Sequence, residues 1–338
     1  MSGLSNACYR VALNEDVQLE GTGAARVYLY RKFECEIIDK RVEAAIFKCM
    51  SESNLGPKLI FQNEEYRIED FFVGRPLTIW ELRNPVLSEA YVKAIYDMHT
   101  KSGAAEAIDA IKPRDSSRTG VEIAIEEWGP AVVERITKIR AKLNPEDAGH
   151  QHIAKVLDKL SATYLKDGYQ DVLRACIPRD SPVVLCHNDA QENNILTSLE
   201  DNTQIVLIDY EYGMWNPQMY DIANYLNEFI CDNAYPLGTG VAYAKSNWPT
   251  EDEIVSLTRQ YYLLSKGDGA TWSLEDAECR QKVLEVKQCM VLNNYYWGVW
   301  AIMMLSEADE TDVSVFNWEF CFGRCEAHEM CVRDFGVG

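Results

Sequence analysis

A carboxylate, an amide five positions further on and a second carboxylate beyond a turn occur in this sequence as Asp189, Asn194 and Asp209. Phosphoryl transfer asks for that set: one carboxylate to orient and deprotonate an attacking hydroxyl, and oxygen ligands to hold Mg2+ on the phosphates of ATP. In the pattern His187-x-Asp189-x-x-x-x-Asn194 the aspartate is expected to be the base and the asparagine a metal ligand. Asp209 follows the apolar stretch Gln204 to Ile208, where a second metal carboxylate belongs. Singly, each residue is more often a cap or turn former. Together, at this spacing, they favour catalysis.

The elements that must position them can be read from periodicity. Val183 to Cys186, Asn193 to Thr197 and Gln204 to Ile208 read as strands around the catalytic residues, with Asp201-Asn202 as the turn. A turn centred there pairs residues whose numbers sum to 403, setting Asn194 opposite Asp209, about 5 Å apart. Upstream, Ala7 to Leu13 and Val27 to Phe33 predict a hairpin around Gly21-Thr-Gly23. A helix is expected over Ile37 to Met50, then strands over Leu59 to Phe61 and Tyr66 to Phe72. Val73-Gly74-Arg75-Pro76 punctuates the chain. Beyond it helical periods dominate, including Ser88 to Thr100, Ala131 to Leu143 and Glu251 to Leu264, with a solvated loop at Asp115 to Arg118. We therefore expect an α+β chain of two lobes: residues 1–72 a small mixed β/α nucleotide-binding lobe, residues 73–338 a large, mostly helical one bearing the catalytic loop.

Charge narrows the partners. With 33 basic and 53 acidic residues the net charge is −20, which opposes nucleic acid and anionic membranes and favours a cationic small molecule. Eleven cysteines without a CxxC pair or a secretory leader suggest reduced thiols and a cytoplasmic setting. The apolar run Tyr295 to Leu305 is half the length of a membrane span and is expected to be a buried core helix. Cys321, Cys325, His328 and Cys331 have zinc-binding side chains, but their spacing makes one helical stripe rather than a convergent site.

The stretch His187-Asn-Asp-Ala-Gln-Glu-Asn-Asn-Ile-Leu196, followed by Ile208-Asp-Tyr-Glu-Tyr212, Asn216 and Asp221-Ile-Ala-Asn-Tyr-Leu-Asn-Glu228, closely resembles the choline/ethanolamine kinase family. Gly3-Leu-Ser-Asn6, Ile38-Asp-Lys-Arg-Val-Glu43, Leu55-Gly-Pro-Lys-Leu59 and Trp297-Gly-Val-Trp300 are weaker echoes. The resemblance implies a protein-kinase-like fold with ATP between the lobes, Asp189 as base, and Asn194 and Asp209 on Mg2+. Ser5 and Asn6 would belong to the nucleotide loop, while Asp70 and Phe72 would meet adenine and Phe71 would be core. Arg31 falls where kinases place a cation on the phosphates, with Glu43 to orient it; a plain surface pair is the competing reading. Relative to the family, the glycine-led loop starts at Ser2-Gly3, without the strand that usually precedes it.

A trimethylammonium head donates no hydrogen bond, so its site relies on ring faces and diffuse negative charge. The resemblance nominates Tyr212, Glu228, Trp297, Trp300 and Phe316 or Phe320, with Gln191 after the catalytic aspartate. Trp297 and Trp300 are three apart in a helical segment and share a face, and Asp221, Asn224, Tyr225 and Glu228 form a second stripe. Isolated tryptophans on an apolar helix would otherwise be read as core. The Gln191-Glu192 pair resembles the choline-preferring branch. Asn233 stands where a ring is expected, with Tyr235 two positions beyond, and a hydrogen-bonding wall there would favour ethanolamine. The expectation is a kinase making phosphocholine, the first step of phosphatidylcholine synthesis. Ethanolamine kinase, an antibiotic or methylthioribose-type sugar kinase, and a catalytically silent kinase-like scaffold are the alternatives. The resemblance also raises a homodimer.

Overall fold

The structure, a computed structural model, describes residues 6–14, 27–33, 39–113 and 118–336. Ser5, the glycine pair around Thr22, Ile37, Ile38 and most of the Asp115 to Arg118 loop lie outside them.

An antiparallel four-stranded sheet opens the chain. Its strands β1 (Asn6–Ala12), β2 (Val27–Phe33), β3 (Leu59–Gln62) and β4 (Tyr66–Asp70) lie in the order β1-β2-β4-β3. The expected hairpin forms, with Tyr9 paired to Tyr30 and Cys8 to Arg31. Alternation on β4 points Arg67 and Glu69 to the face that also carries Arg31, because Arg31 pairs with Arg67 and Leu29 with Glu69. Helix α1 (Lys40–Glu52) covers this face. It starts where Asp39 accepts from the Arg41 N–H, and it buries Val42, Glu43, Ile46, Phe47 and Met50.

A second sheet joins β5 (Gly74–Pro76), β7 (Ile195–Ser198) and β8 (Ile205–Leu207), so the punctuating segment after the first sheet pairs with the catalytic hairpin. β6 (Val183–Cys186) does not pair with that hairpin but with β9 (Met214–Pro217). The β7–β8 register differs by one residue from the expectation, pairing Ile195 with Leu207 and Thr197 with Ile205. The cause is the loop, which is centred on Asp201 alone. Asp201 O accepts from the Gln204 N–H, and its side chain accepts from Thr203. Ile208, not Asp209, therefore hydrogen-bonds to the backbone of Asn194.

The helices framing the site are α2 (Pro85–Lys101), α3 (Gly129–Lys142), α4 (Tyr220–Asn227), α5 (Glu251–Lys266), α6 (Ala277–Met303) and α7 (Phe316–Phe335). The run from Tyr295 is the C-terminal part of α6, buried from Cys289 to Ile302. It is a core helix, and no helix among the described residues is long and apolar enough to cross a membrane. Cys321, Cys325, His328 and Cys331 do form one buried stripe on α7. His328 spends its ring nitrogens on Val291 O and the Tyr169 hydroxyl rather than on a metal. Burial lowers its pKa to about 4.

Candidate active site

Two residues in left-handed backbone, Asn188 at φ 69° and Asp209 at φ 68°, mark the turns that carry the expected catalytic residues. Such a conformation persists only where the surroundings over-determine it, and around Asn188 they do. Its Nδ2 donates to Cys186 O, Tyr212 O and Met214 O at 3.1, 2.8 and 3.2 Å, and its Oδ1 accepts from Asn216 Nδ2 at 2.7 Å. Asp221, at the start of α4, accepts from the backbone N–H groups of His187 and Asn188 at 2.8 and 2.7 Å. His99 Nε2 meets the same carboxylate at 2.9 Å, and its Nδ1 meets the Tyr261 hydroxyl at 2.7 Å. Although burial opposes ionisation, the hydrogen bond and charge of His99 hold the Asp221 carboxyl below the usual range. Each such charge-assisted bond is worth about 1.5–3 kcal/mol, so the loop is anchored from below before any substrate arrives. His187 Nε2 donates to Ile208 O at 3.0 Å, tying the loop to the end of β8.

Asp189 stands on this platform. Asn194 Nδ2 donates to its Oδ2 at 2.9 Å and to its backbone oxygen at 2.8 Å, which turns the amide oxygen of Asn194 to the other side. Burial, then the charges of Glu228, Glu211 and Asp209, raise the pKa of Asp189 well above the ordinary carboxylate value. A raised proton affinity suits the base that the sequence leads one to expect at Asp189. Asp209 is near enough to enter that field even though the register does not set it opposite Asn194. Its left-handed turn carries its carboxylate to Arg31, 3.1 Å from Arg31 Nη1.

The expected partnership of Arg31 with Glu43 is not what forms. Glu43 takes Arg67, with Nη1 2.7 and 3.0 Å from its two oxygens, and Arg67 Nε also bonds Glu69 at 3.1 Å. Arg31 lies 3.9 Å from Glu69 and reaches Glu43 only through that chain. The reason is geometric: Arg31 and Arg67 face one another across β2 and β4, and Arg67 is the one that stacks on Phe47 of α1, 3.6 Å from the ring centre. Neither is a surface pair, since Arg31, Arg67, Glu43 and Glu69 are all buried.

Of the residues expected at the adenine, Asp70 is half-buried and its Oδ1 is a buried acceptor without a hydrogen-bond partner. Phe72 is half-buried beside Gly74, where a Cβ would come within 2.4 Å of its ring and of Thr197 O, so only glycine fits that approach. Phe71 is not core: it is half-exposed, with the Arg10 guanidinium over its ring at 5.2 Å. Asn6 opens β1, and Ser5 lies outside the described residues. Gln191 folds back on its own turn, accepting from Asn193 N and Nδ2 at 2.9 Å each.

The expected ring residues do come together. Tyr212 and Trp297 lie 5.1 Å apart, Tyr212 and Trp300 5.9 Å, and Trp297 and Trp300 5.1 Å, all edge to face, so three ring planes meet nearly at right angles. Phe320 extends the group at 5.8 Å from Trp300, and Phe316 stacks on Phe320 at 4.9 Å. Trp297 Nε1 donates to Asn224 Oδ1 at 3.1 Å, which fixes the indole. Glu228, directly after α4, is buried beside this group. Its Oε1 binds Arg324 Nη2 at 2.5 Å and its Oε2 accepts from Asn233 Nδ2 at 3.0 Å. Asn233 also bonds Glu192 through its backbone N–H at 2.7 Å and its side chain at 3.1 Å, and its Oδ1 accepts from the Cys231 thiol at 3.3 Å, so its side chain is spent within the chain rather than offered as the hydrogen-bonding wall that would favour ethanolamine. Burial, then Glu228, pushes the Glu192 carboxyl up to about 7.

Arg67, His99 and Arg324 are the residues that sequence reasoning missed. A signal existed for two. Arg67 shares a strand face with Glu69, and Arg324 stands four residues after Phe320 on one helix. His99 carries no local signal, because its partners lie on remote elements.

Comparison with known proteins bears on this geometry. The family model described as choline/ethanolamine kinase matches residues 1–325. A human choline/ethanolamine kinase is 26% identical over 313 residues, covering 90% of this chain and 72% of the relative. Among solved structures, a Plasmodium vivax ethanolamine kinase superposes with a TM-score of 0.70 at 22% identity, covering 99% of this chain and 81% of the other. A choline kinase from Cryptosporidium parvum gives 0.67 at 23%, covering 100% and 89%. These two likenesses establish the two-lobe, protein-kinase-like α+β fold.

Proposed function

The chain belongs to the choline/ethanolamine kinase family, and from that premise we propose that it is an ATP-dependent kinase of choline, with ethanolamine the second substrate, working through Asp189 as base. The observation that carries the reading is the position of Asp189: bonded to Asn194 at 2.9 Å, within the field of Asp209, and within that of Glu228 beside the rings.

The residues fit the groups that such a reaction needs. Asn194 and Asp209 offer oxygen ligands suited to a hard cation, and the orphaned Oδ1 of Asp70 suits an amino donor such as that of adenine. Mg2+ held by Asn194 and Asp209 would neutralise charge on the phosphates of ATP. Arg31 supports the same pole with a buried guanidinium against Asp209. In the transfer, the substrate oxygen bonds to the γ-phosphorus as the bond to the bridging oxygen breaks. The hydroxyl proton passes to Asp189, and ADP departs. Tyr212, Trp297 and Trp300 supply ring faces to the ammonium head, a grouping that favours a quaternary over a primary amine.

The ten described cysteines are all unpaired, which supports a reducing, cytoplasmic setting. Retention of Asp189, Asn194 and Asp209 argues against a silent scaffold. An assay of ADP release with choline, ethanolamine and an aminoglycoside side by side tests the proposal. Turnover with choline is expected. Turnover with neither amino alcohol rejects it.

A further inference from the structure

A carboxylate in an ammonium site is ordinarily taken as the charge that attracts the substrate. Glu228 does not stand ready for that. Arg324 already holds its Oε1 at 2.5 Å, Asn233 holds its Oε2, and both members of the ion pair are only 2% exposed at their side chains. The same guanidinium lies 4.7 Å from the centre of the Phe320 ring, taking one aromatic face of the ring group as well. Its Nε has no hydrogen-bond partner, so Arg324 is held chiefly by the Glu228 charge and the ring. Gly323 sets the position: a Cβ there would fall 2.1 Å from the Tyr243 ring, so α7 approaches that ring closely only with glycine before Arg324.

We propose that Arg324 is a specificity-determining residue: a resident cation that neutralises Glu228 and so selects a quaternary ammonium over a primary one. This rests on the amino-alcohol reading given above. A primary ammonium must replace the hydrogen bonds that it made to water, and a carboxylate already neutralised by a guanidinium and capped by an amide attracts it weakly. A trimethylammonium head has no donors to satisfy and gains most from ring faces, which Tyr212, Trp297 and Trp300 still offer. Arg324 therefore costs ethanolamine more than choline.

Steady-state kinetics of the full chain with both amino alcohols at saturating MgATP provide the test. Arg324→Gln is expected to raise the ethanolamine-to-choline ratio of kcat/KM about tenfold, and Arg324→Lys by less, because it keeps the charge. Glu228→Gln leaves the guanidinium unopposed beside the substrate and should raise the KM of both amino alcohols about a hundredfold. Adding Arg324→Gln to that variant should recover at least about tenfold of the loss. The charge-balanced double variant also keeps the test open should Arg324→Gln alone fail to fold. An unmoved ratio in Arg324→Gln, or a double variant no better than Glu228→Gln, overturns the inference while leaving the kinase reading intact. Wild-type protein that turns over neither amino alcohol overturns both.

Discussion

Two buried charge clusters border Asp189, and they are built differently. One lies toward the first sheet, where Arg31 and Arg67 alternate with Glu43, Glu69 and Asp209. The other lies toward α7, where Arg324 alone faces Glu228, with Asn233 bridging to Glu192. The first couples strand and helix to a carboxylate that keeps 23% of its side chain exposed, which suits the proposed binding of a metal and an anionic nucleotide there. The second is closed and framed by rings, as befits recognition of a cation by faces rather than by hydrogen bonds. Asp189 feels both, through Asp209 on one side and Glu228 and Arg324 on the other. On the proposed reading, the two clusters would leave Asp189 free to act as base, because metal binding and cation recognition fall to separate neighbours.

Removing the shared member should have the largest effect. Asp189→Ala is expected to lower kcat by about three to four powers of ten with the ATP KM little changed, as steady-state kinetics would read. Retained turnover would dissolve the comparison, since neither cluster would then serve Asp189. Next, Asp209→Asn should weaken the first pole alone. The Mg2+ concentration for half-maximal rate should rise about ten- to a hundredfold while the choline KM holds. Leucine at Trp297 or Trp300 should do the converse, raising the choline KM about thirtyfold, the equivalent of about 2 kcal/mol of cation–π energy, with the ATP KM unmoved. A rise in the ATP KM instead would make these rings ordinary core.

A control outside both clusters comes from His328. Its pKa is lowered to about 4 by burial, so the folded chain binds a proton less readily than the unfolded one. Its contribution to stability is complete above about pH 6.5 and is lost as the pH falls from there toward 4, by at most about 3 kcal/mol. Thermal melts should show that slope, and His328→Gln should flatten it without altering the choline-to-ATP balance of KM values.

How much of this was legible follows the same division. Asp189, Asn194 and Asp209 could be read because they lie within one hairpin and its turns, where spacing is geometry. Even so, the register was off by one, since a loop centred on Asp201 and a turn centred on Asp201-Asn202 use the same residue types. The left-handed backbone at Asp209, which aspartate adopts more readily than most residues but which spacing does not assign to this one, turns its carboxylate to Arg31. The ring cluster was legible for Trp297 and Trp300, which share a helix face, but the partner of Glu228 was not. Arg324 lies 96 residues away, and nothing in the periodicity of α7 says which helix it meets. Likewise Arg31 and Glu43 were each recognised, yet the pair expected between them does not form, because Arg67 on the neighbouring strand satisfies Glu43.

Phosphorus NMR of the protein with MgATP and choline follows the phosphoryl group itself. A phosphomonoester resonance is expected to grow in step with ADP, present for wild type and absent for Asp189→Ala. ADP appearing with inorganic phosphate alone, with either amino alcohol present, would contradict it.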